Sequence, residues 1–513
     1  MCLLAIFVMN VLAVRAQLPR APTFDEAEHL HASWLMSDDR RIYRDFAEDH
    51  SPLLPHLLQV VQPSERSVEF PRLDVARFLT WARVLMALFG TTGALAAGLF
   101  AYRVSGSPAA PVVVLASVLG SELTFLRGVA DVRHDPPALA LFWVGALLMV
   151  KRRATRRGAI SVGVGLGLLG VAALWNPKWP VVTLALVVYA GYWLAKQRSG
   201  RQLAWTLGAA VAVGGTALGV LLSLASVDDL LFFVLTYNVE FASWFTRSGV
   251  VGDWFLHRQA FHYCAFPFRP LCAALGWSVL VLACAVPRVW RGLTDRAAWL
   301  LVMSLGPVAL AEMVLVYPWP RLWSQYYLMW SSAIAVTYGC AQAAVGRLLA
   351  SYLPGRARPS VRIGAAGFAL TCAMALYFIA WRELRRAPEP TTYFRDVAWI
   401  QQQLRAGDTV WLEPHEGHPI GARDAAYYWF AFGDLVPFSL EFASSRPDDH
   451  HLPKVRMADL PPCRAVAGVD RSLRFISVVA GDLAEPCMRR LKAAGRLSET
   501  PVRGVLAVLH EVP

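Results

Sequence analysis

The strongest constraint on this fold is a succession of apolar segments, some of the length that a bilayer demands and some shorter with aromatic, proline-marked ends, joined mostly by short charged connections. They lie at roughly 84–102, 111–126, 136–150, 159–174, 180–195, 202–224, 271–286, 298–316, 325–345 and 363–381. A helix needs about 20 apolar residues to cross a hydrocarbon core, since it rises about 1.5 Å per residue. Counting the apolar stretch at 1–14, there are about eleven such segments. A chain of 513 residues, 56% apolar and with positive mean hydropathy, is then expected to be an all-α polytopic membrane bundle. Residues 1–14 read either as a signal peptide without its basic region or as a first span with a truncated start. Both readings place residue 17 onward outside the cytoplasm.

Charge supports the same topology. The formal net charge of +12 would suggest a nucleic-acid partner in a soluble protein. Here the basic residues gather in short connections instead: 103–110, 151–157 (KRRATRR), 196–201, 287–296 and 347–362. Acids, His and Trp gather in the alternate connections, 127–135, 175–179, 225–270 and 317–324. The alternation follows the positive-inside rule and excludes a nucleic-acid role. All 12 His fall on the side assigned as outer or at its helix ends.

Hydropathy falls from about Pro388. Helices are predicted at 392–404 and 486–494, and strands at 409–412, 475–479 and 505–509, which makes a small α/β domain. The expected division is a transmembrane domain over 1–386, with an external first loop at 17–80, and a soluble extracytoplasmic domain over 387–513. Cys463 and Cys487 are the two Cys of that polar region and are expected to pair in an oxidising compartment. The other six sit in or beside apolar segments, as buried thiols do.

The first loop concentrates carboxylates and imidazoles: Phe24-Asp25-Glu26-Ala27-Glu28-His29, then YRDFAEDHSPLLPH from Tyr43 to His56. Thr23 with Glu26 reads as a capping box at a helix start, the structural explanation of Glu26. Asp25 and His29, four apart, share a face of that helix. Asp25 also reads as an acid complementing the helix dipole.

These residues resemble the first external loop of polyprenyl-phosphate-sugar-dependent glycosyltransferases with the membrane C-type fold, the protein mannosyltransferase and lipid A aminoarabinose transferase families. The resemblance rests on Asp25-Glu26, Tyr43-Arg44-Asp45-Phe46 and His50-Ser51-Pro52-Leu53, and on Asp131-Val132-Arg133-His134-Asp135-Pro136 after the third segment. It implies sugar transfer from a polyprenyl-phosphate donor to a hydroxyl or phosphate of a lipid, glycan or protein acceptor, outside the cytoplasm and with inversion. Such chemistry needs one carboxylate as base, since phosphate leaves readily as an anion. It also needs cations on the departing phosphate. Asp25 is the candidate base, with Glu26, Asp135 and Asp131 as further catalytic carboxylates. Ion pairing of Asp135 with Arg133 or Arg127 is the alternative there. Lys178 (between Trp175 and Trp179), Arg133, Arg321 and Tyr326 are candidates for the donor phosphate. Snorkelling at the interface is the alternative for Lys178. Glu48 and His50 are candidate ligands of a divalent metal ion, and no organic cofactor is expected.

The rival reading is a polytopic transporter or a lipid-linked-sugar flippase. Transporter sites lie near mid-membrane, whereas the acids here sit at helix ends and in loops, Glu312 being the main exception. A scaffold without catalysis would not require this loop.

Overall fold

The computed structural model describes residues 11–12, 14–15, 17–46, 48, 50–63, 74–120, 130–150, 155–176, 180–197, 199–247, 296–311, 327–352, 391–412, 418–425, 438, 441–442, 445, 459–477 and 484–510. The chain forms two compact units. One comprises Met1–Gln17, Val84–Val220 and Val251–Ala387; the other comprises Leu18–Arg83, Leu221–Val250 and Pro388–Pro513.

The first unit is built from long apolar helices, two of which extend beyond it at Val75–Arg83 and Leu221–Leu224. Helices Val75–Ser105, Ala109–Gly120, Asp135–Met149, Arg156–Trp175, Pro180–Gln197, Gly200–Leu224, Arg296–Ala311 and Tyr327–Tyr352 occupy eight of the predicted apolar segments. Segments 271–286 and 363–381, and most of 1–14, lie outside the described residues. Val75–Ser105, Arg156–Trp175 and Gly200–Leu224 are long and apolar enough to cross a membrane. The 31-residue helix Val75–Ser105 begins well before its predicted apolar start, so the polar approach and the span are one continuous helix.

Lipid offers little hydrophobic drive between helices, so close backbone contact has to supply the packing. Glycines provide it. A Cβ on Gly145 would lie 2.8 Å from the Gly165 carbonyl oxygen, and one on Gly165 would lie 2.6 Å from that of Gly145. Polar ties complete the bundle. Trp143 Nε1 donates to Ser332 Oγ at 2.8 Å. Pro307 interrupts the backbone ladder of Arg296–Ala311, and Thr337 fills the gap, its hydroxyl accepting from Gly306 N–H at 2.9 Å and donating to Val302 O at 2.7 Å. We expect Gly165→Leu to destabilise the bundle by about 1–3 kcal/mol or more, since backbone must shift to admit the side chain. Thermal unfolding in detergent, compared with an exposed control such as Gly208→Leu, checks this.

In the second unit a five-stranded sheet has the order β2-β1-β3-β5-β4. Its strands are β1 (Thr409–Trp411), β2 (Arg423–Asp424), β3 (Leu473–Ser477), β4 (Leu497–Glu499) and β5 (Val505–Val508). β1 runs parallel to β2 and β3, and β5 antiparallel to β3 and β4. Helix Thr391–Gln403 covers the sheet through Ile400, which shares a core with Val410, Phe475 and Val505. Cys463 and Cys487 form a disulfide with a Cα–Cα distance of 5.0 Å, joining helices Pro461–Val466 and Glu485–Ala493. Closing a loop of 24 residues' separation stabilises the domain by about 3 kcal/mol in the chain-entropy model. Cys463→Ser with Cys487→Ser should therefore lower its denaturation midpoint, and an unchanged midpoint would count against the bond.

Candidate active site

Helix Phe24–Ser37 starts at Thr23, whose hydroxyl accepts from Glu26 N–H at 3.3 Å while Glu26 Oε2 accepts from Thr23 N–H at 2.8 Å. The capping box is thus present. Glu26 carries a second load that its spacing does not announce. Arg83 donates to it through Nε at 2.8 Å and Nη2 at 2.6 Å. The remaining Arg83 donors reach the carbonyls of Leu18, Arg20 and Ala21. All five guanidinium N–H bonds are engaged, so Arg83 has no donor left for a phosphate. Both side chains are buried. Asp25, next in the same turn, is half-buried, where the helix dipole favours a carboxylate.

The Tyr-x-Asp-Phe run folds as a tight turn. Tyr43 takes a left-handed backbone conformation (φ 68°), which a non-glycine residue adopts only when its surroundings hold it there. Its ring stacks on Phe233 at 4.7 Å and its hydroxyl donates to His50 O at 2.5 Å. Asp45 accepts from Arg41 N–H at 2.7 Å. That backbone bond, helped by the Arg41 side chain and despite slight desolvation, holds its carboxyl below the usual range. The turn presents Glu48 and His50, which are joined at 3.0 Å through His50 Nδ1. Glu28, Glu48 and His50 offer ligand atoms within 4.8 Å of one another. The donor set is two carboxylates and one imidazole. That set fits a divalent cation.

Another contact in this unit had no signal in the sequence spacing. His31 bonds through Nε2 to Asp424 Oδ2 at 2.5 Å and through Nδ1 to the Ile420 carbonyl. Asp424 Oδ1 bonds His418 Nε2 at 3.1 Å, and Ile420 N–H donates to His418 Nδ1. That backbone donor places the His418 proton on Nε2, making this nitrogen a donor and not a metal ligand. Arg423 adds a pair to Asp38, Nε to Oδ2 at 2.9 Å. The Asp38 bond raises the Arg423 pKa against modest desolvation. The first-loop helix is therefore held by β2, whose two residues are too short to register as a strand in the sequence. Tyr393, buried and near Glu26, has its pKa raised, chiefly by desolvation.

Burial disfavours charge on His418 and lowers its pKa, more than its bonds to Asp424 raise it. For Asp424, burial raises the pKa, but His31 and the two imidazole bonds outweigh it and the net shift is downward. A lowered His pKa means that the unfolded chain binds the proton more readily. Stability is then present above the unfolded value of about 6.5 and falls as pH drops below it. Asp424 acts in the same direction at lower pH, below its unfolded value of about 3.9. We expect the melting temperature to fall more between pH 7.5 and 5.5 in the unaltered protein than in His418→Gln, since the substitution removes this contribution. A melt independent of pH in both proteins would contradict the assignment.

In the first unit, Asp135 opens helix Asp135–Met149 and is buried, accepting from Asn176 Nδ2 at 3.1 Å. Asn176 is the C-cap of Arg156–Trp175, so this carboxylate ties two helix ends, a partner that the expected Arg133 or Arg127 pairing did not include. Asp131 and Arg133 lie in the bend just before it. Lys178, Arg321 and Tyr326 lie outside the described residues.

No family model matches the sequence, and no curated protein matches it. Solved structures do match. ArnT from Cupriavidus metallidurans bound to undecaprenyl phosphate superposes with a TM-score of 0.59 at 13% identity, covering 100% of this chain and 98% of that one. Its apo state gives 0.57 at 12% identity with the same coverage. At such identity the likeness concerns architecture, and it extends from end to end: this chain has the fold of ArnT.

Proposed function

We propose that the protein is an integral-membrane glycosyltransferase that moves a sugar from a polyprenyl-phosphate carrier to an acceptor hydroxyl or phosphate. The observation that carries this reading is the whole-length fold likeness to an ArnT structure holding undecaprenyl phosphate, on a chain whose first loop carries Asp25-Glu26 and the turn at Tyr43, Asp45 and Phe46. In the reaction the acceptor oxygen attacks the anomeric carbon, the bond from that carbon to the phosphate oxygen breaks, and polyprenyl phosphate departs as an anion. Asp25 takes the proton of an acceptor hydroxyl. It or Asp135, with Asp131 beside it, stabilises the positive charge that develops on the sugar.

Arg133, Lys178, Arg321 and Tyr326 are proposed to hold the donor phosphate. Glu28, Glu48 and His50 would hold a divalent cation, which when bound supplies charge stabilisation for a phosphate oxygen. Residues 1–386 would form the transferase domain and 387–513 the extracytoplasmic domain, whose disulfide suits an oxidising compartment. A transporter or flippase is not favoured by this likeness. The test is turnover of purified protein with a polyprenyl-phosphate sugar and a membrane extract as acceptor source. Release of polyprenyl phosphate that depends on the protein supports the reading; none with any lipid-linked sugar offered would reject it.

A further inference from the structure

We infer that the helical segment Val227–Arg247 is a membrane-surface helix, seated in the boundary between lipid headgroups and acyl chains. The segment runs Val227–Leu230, then a π-helical stretch Leu231–Tyr237, then Asn238–Arg247. It begins two residues after the end of Gly200–Leu224, a helix apolar enough to span a membrane and with only 6% of its apolar window buried. Chain connectivity alone therefore starts it at the bilayer surface.

Its two faces differ. Phe232, Phe233 and Tyr237 are buried, with Phe233 on Tyr43 and Tyr237 against Phe438. The other face presents Val227, Leu231, Leu235 and Val239, exposed by 56%, 53%, 46% and 62%. Four large aliphatic side chains at a spacing of four follow one another along the exposed side of the segment. Water would be a poor solvent for such a row, whereas an acyl boundary suits it. The charged residues of Val227–Arg247 are Asp228, Asp229, Glu240 and Arg247, three acids to one base, with Ser226 capping the first turn through Asp229 N–H. This is not a basic helix drawn to anionic lipid. The drive is apolar burial, so neutral phosphatidylcholine suffices as partner.

The test places a nitroxide at Leu231→Cys, Leu235→Cys, Asp228→Cys and Val211→Cys in the full-length protein, reconstituted in phosphatidylcholine vesicles, with the unsubstituted protein labelled alike as background. Collision rates with oxygen (lipid-soluble) and a nickel chelate (water-soluble) are read by power saturation. The oxygen-to-nickel ratio at Leu231 and Leu235 is expected to be severalfold higher than at Asp228, approaching that at Val211 in the span. Equal ratios at Leu231, Leu235 and Asp228, with Val211 in lipid, would overturn the inference and leave the membrane reading intact. Shielding of Leu231 and Leu235 from both reagents would overturn it too, in favour of a second copy of the chain or another protein. A water-like ratio at Val211 would instead remove the membrane reading on which the inference rests.

Discussion

Asp25→Asn is expected to lower transferase turnover by about 10²–10⁴-fold, the usual cost of losing a general base, while thermal stability and donor binding persist. Asn preserves size and most hydrogen bonding at the first turn of Phe24–Ser37 but cannot accept the acceptor's proton. Glu26→Gln gives the contrast. Gln also serves a capping box, yet here it would leave the buried Arg83 guanidinium without its carboxylate, so stability should fall while the folded fraction keeps most of its turnover. Near-normal turnover in an Asp25→Asn protein that folds and binds donor would remove Asp25 from the reaction, and Asp135 would be the next carboxylate to test.

Arg83→Met should destabilise the second unit by about 3–5 kcal/mol, because it leaves the Glu26 carboxylate buried without a counter-charge and strips three carbonyls of their donors. Adding Glu26→Gln to Arg83→Met removes the stranded charge. The double variant is then expected to be more stable than Arg83→Met alone. Chemical denaturation of the four proteins measures this coupling, and strict additivity would contradict a direct Arg83–Glu26 interaction.

Much of the architecture was legible because it rests on local periodicity. Apolar run length marked eight of the described helices, and Thr23 with Glu26 marked the start of the first-loop helix. Strands β1, β3 and β5 stood out because each is a short buried run between polar turns. β2 did not, being two residues without alternation. The partners that organise the first loop were illegible for a different reason. His31 meets Asp424 across 393 positions of sequence, and Glu26 meets Arg83 across 57; no spacing rule reaches so far. The acidic first-loop run, by contrast, divides in the structure. Tyr43, Asp45 and Phe46 build the turn, while Glu48 and His50, expected as ligands, have donor atoms close together with those of Glu28, which sequence had not singled out as a ligand.

The central claim is that this protein consumes a polyprenyl-phosphate sugar. It is tested most directly by mass spectrometry of lipid extracts from cells lacking the protein, cells carrying it, and cells carrying Asp25→Asn. The account predicts that one polyprenyl-phosphate sugar accumulates without the protein and equally with Asp25→Asn, and returns to its basal level with the unaltered chain. Lipid-linked sugars that are the same in all three would contradict it.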